Sequence, residues 1–118
     1  MKKHKQFIPI RPLAKERPRA TRTGHVYTPK RTANYEKAVA AAYTGPMFDA
    51  SHTIEVSLVM SAKGTTITVT ATKNPDFKSS LKGDVDNYVK SVLDALNGVA
   101  WEDDKQIIKL TVRKHDES

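Results

Sequence analysis

The stretch Ile54-Glu55-Val56-Ser57-Leu58-Val59-Met60-Ser61-Ala62-Lys63-Gly64-Thr65-Thr66-Ile67-Thr68-Val69-Thr70-Ala71-Thr72 decides the fold of this chain. Ile54, Val56, Leu58 and Met60 alternate with Glu55 and Ser57, the period-two pattern of a half-buried strand. Lys63-Gly64 reads as a hairpin turn, and beyond it Ile67, Val69 and Ala71 alternate with threonines in a second strand. Upstream, Thr28-Pro29 has the form of an N-cap followed by proline at the first helical position. Tyr35, Ala38, Val39, Ala42 and Tyr43 then recur at helical spacing, and Gly45-Pro46 stops that helix. Residues 6–10 read as a short strand ended by Pro9 and Pro12, and residues 11–28 as a polar, proline-punctuated loop. Downstream, a loop over 74–83 leads into a helix that begins near Asp84 or Asp86 and ends at Asn97-Gly98. Val85, Val89, Val92, Leu93 and Leu96 form its expected buried stripe. Residues 107–112 read as a last strand, with a frayed tail from His115. The order strand, helix, two strands, helix, strand makes a small α+β domain.

At 118 residues the expectation is a single domain over 1–118 with a modest core. The absence of cysteine excludes disulfides, thiolate zinc sites and cysteine nucleophiles. The apolar run over 7–10 is too short for a signal-peptide core or a membrane span, which points to a soluble, cytoplasmic protein. Charge is unevenly spread. Residues 1–37 hold eleven Lys or Arg against two acids, whereas residues 38–118 hold nine against eleven. A basic arm within residues 1–31, joined to an acidic body, suggests phosphate gripping at one end and metal chemistry at the other. Arg11, Arg17, Arg19, Arg22 and Arg31 favour the residue suited to bidentate phosphate contacts.

The acidic body centres on Asp84-Val85-Asp86-Asn87-Tyr88-Val89-Lys90 and continues through Asp94 to Trp101-Glu102-Asp103-Asp104. Carboxylates collected this closely repel one another unless something positive sits between them. Asp84 and Asp86 lie two apart at a loop-to-helix junction, where the backbone can aim both the same way. Asp86, Lys90 and Asp94 follow at helical intervals on one face. Either Asp103 or Asp104 can join the first pair if the last strand lies beside the helix start. Three carboxylates from separate points suit Mg²⁺, which takes oxygen ligands and completes its shell with water and phosphate. Blander roles exist for each group alone: a helix N-cap, a solvated ion-pair ladder, a turn. Together, in one short segment of a basic protein, they leave the cluster unexplained. A calcium loop is excluded, because its glycine at position six and glutamate at position twelve are missing. His4, His25, His52 and His115 are scattered without ligand spacing and read as surface residues.

The pattern Asp84-x-Asp86-Asn87-x-x-Lys90-x-x-x-Asp94-Ala95-Leu96-Asn97-Gly98, followed by Trp101-x-Asp103-Asp104-x-Gln106-Ile107, resembles the RusA family of Holliday-junction resolvases. The resemblance extends to Arg17-Pro18-Arg19 and Tyr27-Thr28-Pro29. It implies a RusA-like α+β fold, a mixed sheet of about four strands with two helices packed on it. It also implies a homodimeric, Mg²⁺-dependent crossover junction endodeoxyribonuclease of bacterial or phage (prophage) origin. Such enzymes cut four-way DNA symmetrically in recombination and repair, with Mn²⁺ as a substitute metal and no small-molecule cofactor. The family's metal-binding aspartates fall on Asp84, Asp86 and Asp104, its catalytic lysine on Lys90, and Asp103 is the second choice for the third ligand. Asp94 is then placed to orient Lys90. Arg17, Arg19, Arg22, Lys30 and Arg31 become phosphate contacts, and Tyr27 and Phe77 candidate stacking groups. One departure is Gly83, where the family commonly has proline; glycine is expected to loosen the backbone that carries Asp84. The alternatives are a catalytically inactive module that binds branched DNA and a Mg²⁺-dependent nuclease acting on other structured nucleic acid.

Overall fold

The computed structural model describes residues 1–15, 19–20, 26–27 and 30–118. Contacts divide the chain into two compact units, Met1–Pro75 and Asp76–Ser118. The protein is α+β.

The first unit contains β1 (Lys2–Ile8), β2 (Arg19–Ala20), β3 (Val26–Tyr27), α1 (Lys30–Ala42), β4 (His52–Ser61) and β5 (Gly64–Lys73). The hairpin expected from alternation forms as β4 and β5, closed by the pair Ser61 and Gly64. The Lys63 N–H donates to Ser61 Oγ across the turn. β1 pairs antiparallel on the other side of β5, giving the order β1-β5-β4, while β2 and β3 form a separate two-stranded ribbon. Directly opposed residues share a face of an antiparallel sheet and alternate faces along each strand. Register therefore places His4, Gln6 and Ile8 with Val69, Ile67 and Thr65, and with Val56, Leu58 and Met60, on one face. Lys3, Lys5 and Phe7 share the other face with Thr70, Thr68 and Thr66.

Helix α1 faces part of the side that carries Ile8 and Ile67 across an open cleft, and Val56, Leu58 and Met60 stay more than half exposed. A cavity of about 320 Å³ remains between helix and sheet, lined by Ile8, Tyr35, Val39, Leu58, Met60 and Ile67 among others. Among the described residues Ile8 and Ala71 are the buried apolar ones, and Thr32 and Thr65 are buried as well. One polar residue ties β1 to the end of α1. Gln6 Nε2 donates to the Ala42 carbonyl, and its Oε1 accepts from the Thr44 N–H at 3.0 Å and from Thr44 Oγ1. The first strand runs over residues 2–8 rather than 6–10. Its lysines show no hydrophobic alternation, and pairing with β5 rather than local pattern sets its extent.

The second unit contains α2 (Val85–Leu96) and a 3-10 turn at Asp104–Gln106. Three expectations are corrected here. Residues 107–112 form no strand, so the sheet has three antiparallel strands rather than about four in a mixed arrangement. Their unit holds no other strand, and a lone extended segment has no ladder to join. The expected stripe of α2 is not buried: Val89, Leu93 and Leu96 are half-buried, and Val85 and Val92 are exposed. A unit built on one helix has no second layer of its own to cover that stripe. The tail is also not frayed. The Glu117 N–H donates to the Lys78 carbonyl, and the Glu117 carboxylate accepts from the Ser80 N–H and Oγ.

Candidate active site

Asp84 is the N-cap of α2, with extended backbone (φ −72°, ψ 145°), and its carbonyl accepts from the Asn87 and Tyr88 N–H groups. Its carboxylate makes no capping hydrogen bond. Capping therefore does not account for this side chain, and its oxygens are uncommitted among the described residues. Asp86 lies in the first turn, and both aspartates are exposed. Partial positive charge at a helix N-terminus favours carboxylates held there. Lys90 stands one turn beyond Asp86 and Asp94 one turn further, all exposed. Among the described residues no ion pair joins Asp86, Lys90 and Asp94. The salt-bridge ladder is not formed, and Asp94 makes no contact that would orient Lys90.

The backbone ahead of Asp84 is held despite its glycine. The Gly83 N–H donates to Tyr88 Oη at 3.0 Å, and the Gly83 carbonyl accepts from Lys114 Nζ at 2.9 Å. Proline at this position would have no N–H to offer. The glycine exchanges a rigid ring for a hydrogen-bonded tether, so the loosening expected from sequence is countered by Tyr88 and Lys114.

After α2, Gly98 takes a left-handed conformation (φ 82°), which glycine adopts without steric cost, and its N–H donates to the Trp101 carbonyl at 2.6 Å. Asp103 and Asp104 then diverge in role. Asp103 caps the 3-10 turn: its Oδ1 accepts from the Lys105 N–H at 2.9 Å, while Gln106 Oε1 accepts from the Asp103 N–H at 3.0 Å. Asp104 is half-buried and its Oδ1 accepts from the Trp101 indole N–H at 2.7 Å.

Three exposed or half-exposed carboxylates and a lysine are the donor set of a hard divalent cation and a phosphate. Mg²⁺ is typically bound through one or two carboxylates, with water and substrate phosphate completing the shell. The pair Asp84 and Asp86 fits that requirement by chemistry and exposure. Among the described residues no three His, Asp or Glu side chains are grouped to hold an ion, so the structure does not bring Asp104 together with the pair.

Among the proposed DNA contacts, Lys30 and Arg31 occupy the first turn of α1 and are exposed. Arg17 and Arg22, with the Thr28-Pro29 cap, lie outside the described residues, as do the side chains of Arg19 and Tyr27. Phe77 is half-buried. Two histidines are not simple surface residues. His4 is half-buried and packs edge-on against Tyr43, with ring centroids 5.2 Å apart. His52 Nδ1 lies 3.1 Å from Asp49 Oδ1, which also accepts from the Ser51 N–H and Oγ. These bonds, those from Ser51 foremost, lower the Asp49 pKa to about 2. Sequence reasoning missed the contributions of Trp101, Tyr88 and Lys114. The i, i+3 spacing of Trp101 and Asp104 was the one available signal.

The chain is thus a small α+β protein with an open carboxylate pair at a helix N-terminus and a lysine one turn on. The family model described as Endodeoxyribonuclease RusA matches residues 9–118, nearly the whole chain. The chain belongs to this family of endodeoxyribonucleases. It is also similar to a Bacillus subtilis (strain 168) protein described as Uncharacterized protein YqaN, with 51% identity over 37 residues. That match covers 31% of this chain and 26% of the relative, about a quarter of its length. No solved structure matches the chain. Among the described residues no helix is long and apolar enough to cross a membrane.

Proposed function

We propose that the protein is a Mg²⁺-dependent crossover junction endodeoxyribonuclease that resolves four-way DNA by paired, symmetric hydrolysis in recombination and repair. The observation that carries this reading is the uncommitted carboxylate of Asp84 beside Asp86 and Lys90, in a chain of the RusA endodeoxyribonuclease family. Asp84 and Asp86 hold the ion, with water and substrate phosphate completing its shell; Asp104, the third aspartate of the family pattern, lies apart from that pair. When bound, Mg²⁺ lowers the pKa of a coordinated water and stabilises charge on the attacking and leaving oxygens; Mn²⁺ can take its place. Lys90, on the same helix face as Asp86, neutralises charge on the phosphate or orients the attacking water. Lys30 and Arg31, with Arg17, Arg19 and Arg22, position the backbone of the junction without reading sequence. A two-fold homodimer then sets one active site on each of two equivalent strands. A cytoplasmic protein of bacterial or phage origin fits this role.

The test is an end-labelled, immobile four-way junction with Mg²⁺, comparing the wild type with Asp86→Asn. Symmetric paired nicks from the wild type, with a variant that binds but does not cut, are expected. Binding without cutting by the wild type would reduce the protein to a branched-DNA-binding module. Cleavage of structured RNA or plain duplex in preference to the junction would assign a different substrate.

A further inference from the structure

The sheet of the first unit has a second face, turned away from the α1 cleft. Register places Lys3, Lys5 and Phe7 of β1 beside Thr70, Thr68 and Thr66 of β5 on this face. Lys3 and Lys5 are exposed, and Phe7 keeps 51% of its surface in solvent. The Phe7 ring lies over the hairpin turn, where a Cβ on Gly64 would fall 2.7 Å from its Cζ. Same-face residues of a strand stand about 7 Å apart. The two ammonium groups therefore form a row, flanked by a row of threonine hydroxyls on the next strand. Among the described residues neither lysine is in an ion pair. Glu55 is the acid on this face; it lies on the far strand β4 and is engaged by another group.

An apolar partner laid on this face would leave two ammonium groups desolvated and unpaired. A phosphate backbone supplies the missing charge: lysine meets phosphate as a point charge, and threonine hydroxyls donate to its oxygens. The geometry points to this face as a binding surface for the phosphate backbone of DNA, separate from Lys30 and Arg31, which open α1 across the sheet. This rests on the function proposed above and extends it. With basic groups on both sides of one sheet, the first unit grips two arms of a branched substrate.

The test measures binding of the full chain to a fluorescein-labelled four-way junction by anisotropy, without Mg²⁺ so that nothing is cut, over a series of salt concentrations. The double variant Lys3→Gln/Lys5→Gln is compared with Lys2→Gln/Lys73→Gln. The second pair removes the same charge from the same sheet, but register puts Lys2 with Ala71 and Lys73 with His52, on the face toward α1. Circular dichroism checks that both keep the fold. Losing two phosphate contacts lowers the slope of log affinity against log salt by about 2. That is the result expected for Lys3→Gln/Lys5→Gln, with Lys2→Gln/Lys73→Gln changing the slope by less than half as much. Equal effects from the two pairs, or none from either, overturn the face as a DNA surface while leaving junction cleavage, measured separately with Mg²⁺, to stand. Sedimentation that finds a dimer for the wild type and a monomer for Lys3→Gln/Lys5→Gln assigns the face to a second copy and overturns it too. A wild type that binds no junction overturns both the face and the reading on which it rests.

Discussion

Replacing Gln6 by leucine isolates the link between β1 and α1. The change keeps an unbranched-at-Cβ side chain of similar volume on the sheet face that carries Ile8, Ile67 and Val69. It removes the bond to the Ala42 carbonyl, both bonds from Thr44 and the contact with His4 Nε2 at 2.9 Å. A hydrogen bond contributes about 1 kcal/mol net. Two of those lost engage backbone groups at the end of α1, where a helix leaves carbonyls without internal partners. Thr44 is exposed and Ala42 half-buried, so water can recover part of the loss. The expected cost is about 1–2 kcal/mol. For a chain of this size that lowers Tm by about 4–8 °C. Differential scanning calorimetry on the wild type and Gln6→Leu measures it, with Gln6→Glu as a variant that keeps the acceptor and loses the donor. A Tm change under about 1 °C for Gln6→Leu would refute the assignment of Gln6 as the tether of the first unit. Junction cleavage well below Tm should be unchanged per folded molecule, because Gln6 lies outside the catalytic residues.

Thr65 Oγ1 and Thr32 Oγ1 are buried without a hydrogen-bond partner among the described residues. Thr65→Val keeps the β-branched shape and removes an unsatisfied hydroxyl, so chemical denaturation should show a gain of about 1 kcal/mol. Tyr88→Phe deletes the acceptor of the Gly83 N–H. Hydrogen exchange should quicken at Gly83, and junction cleavage should fall while global stability changes by less than about 1 kcal/mol. The Asp49 carboxyl ionises at about 2 in the folded chain rather than at its ordinary 3.8, because its charged form accepts bonds from Ser51 and His52. A lowered folded pKa stabilises the protein above 3.8, and that contribution is lost as pH falls toward about 2. The stability difference between wild type and Asp49→Asn should therefore be constant above that window and shrink through it, as acid-unfolding curves would show.

Local pattern was enough to read the hairpin of β4 and β5, both helices and the acidic segment. Strand alternation, helical spacing and stop signals depend on residues a few positions apart, which sequence displays directly. The placement of Asp86 and Lys90 one turn apart is of the same kind. The extent of β1 was not legible, because Lys2, Lys3 and Lys5 pair with β5 through backbone groups that any residue carries. Residues 107–112 have strand composition but no neighbouring strand in their unit, and a strand exists only with a partner. The distinction between Asp103 and Asp104 was also hidden. Adjacent identical side chains differ only in which donors their rotamers meet, the Lys105 N–H for one and the Trp101 indole for the other. Sequence by itself determined the chemical inventory, three carboxylates and a lysine around one helix in a basic chain. Tertiary structure decided which of those groups are free and which are already engaged, because hydrogen bonding is settled by distance and angle in space.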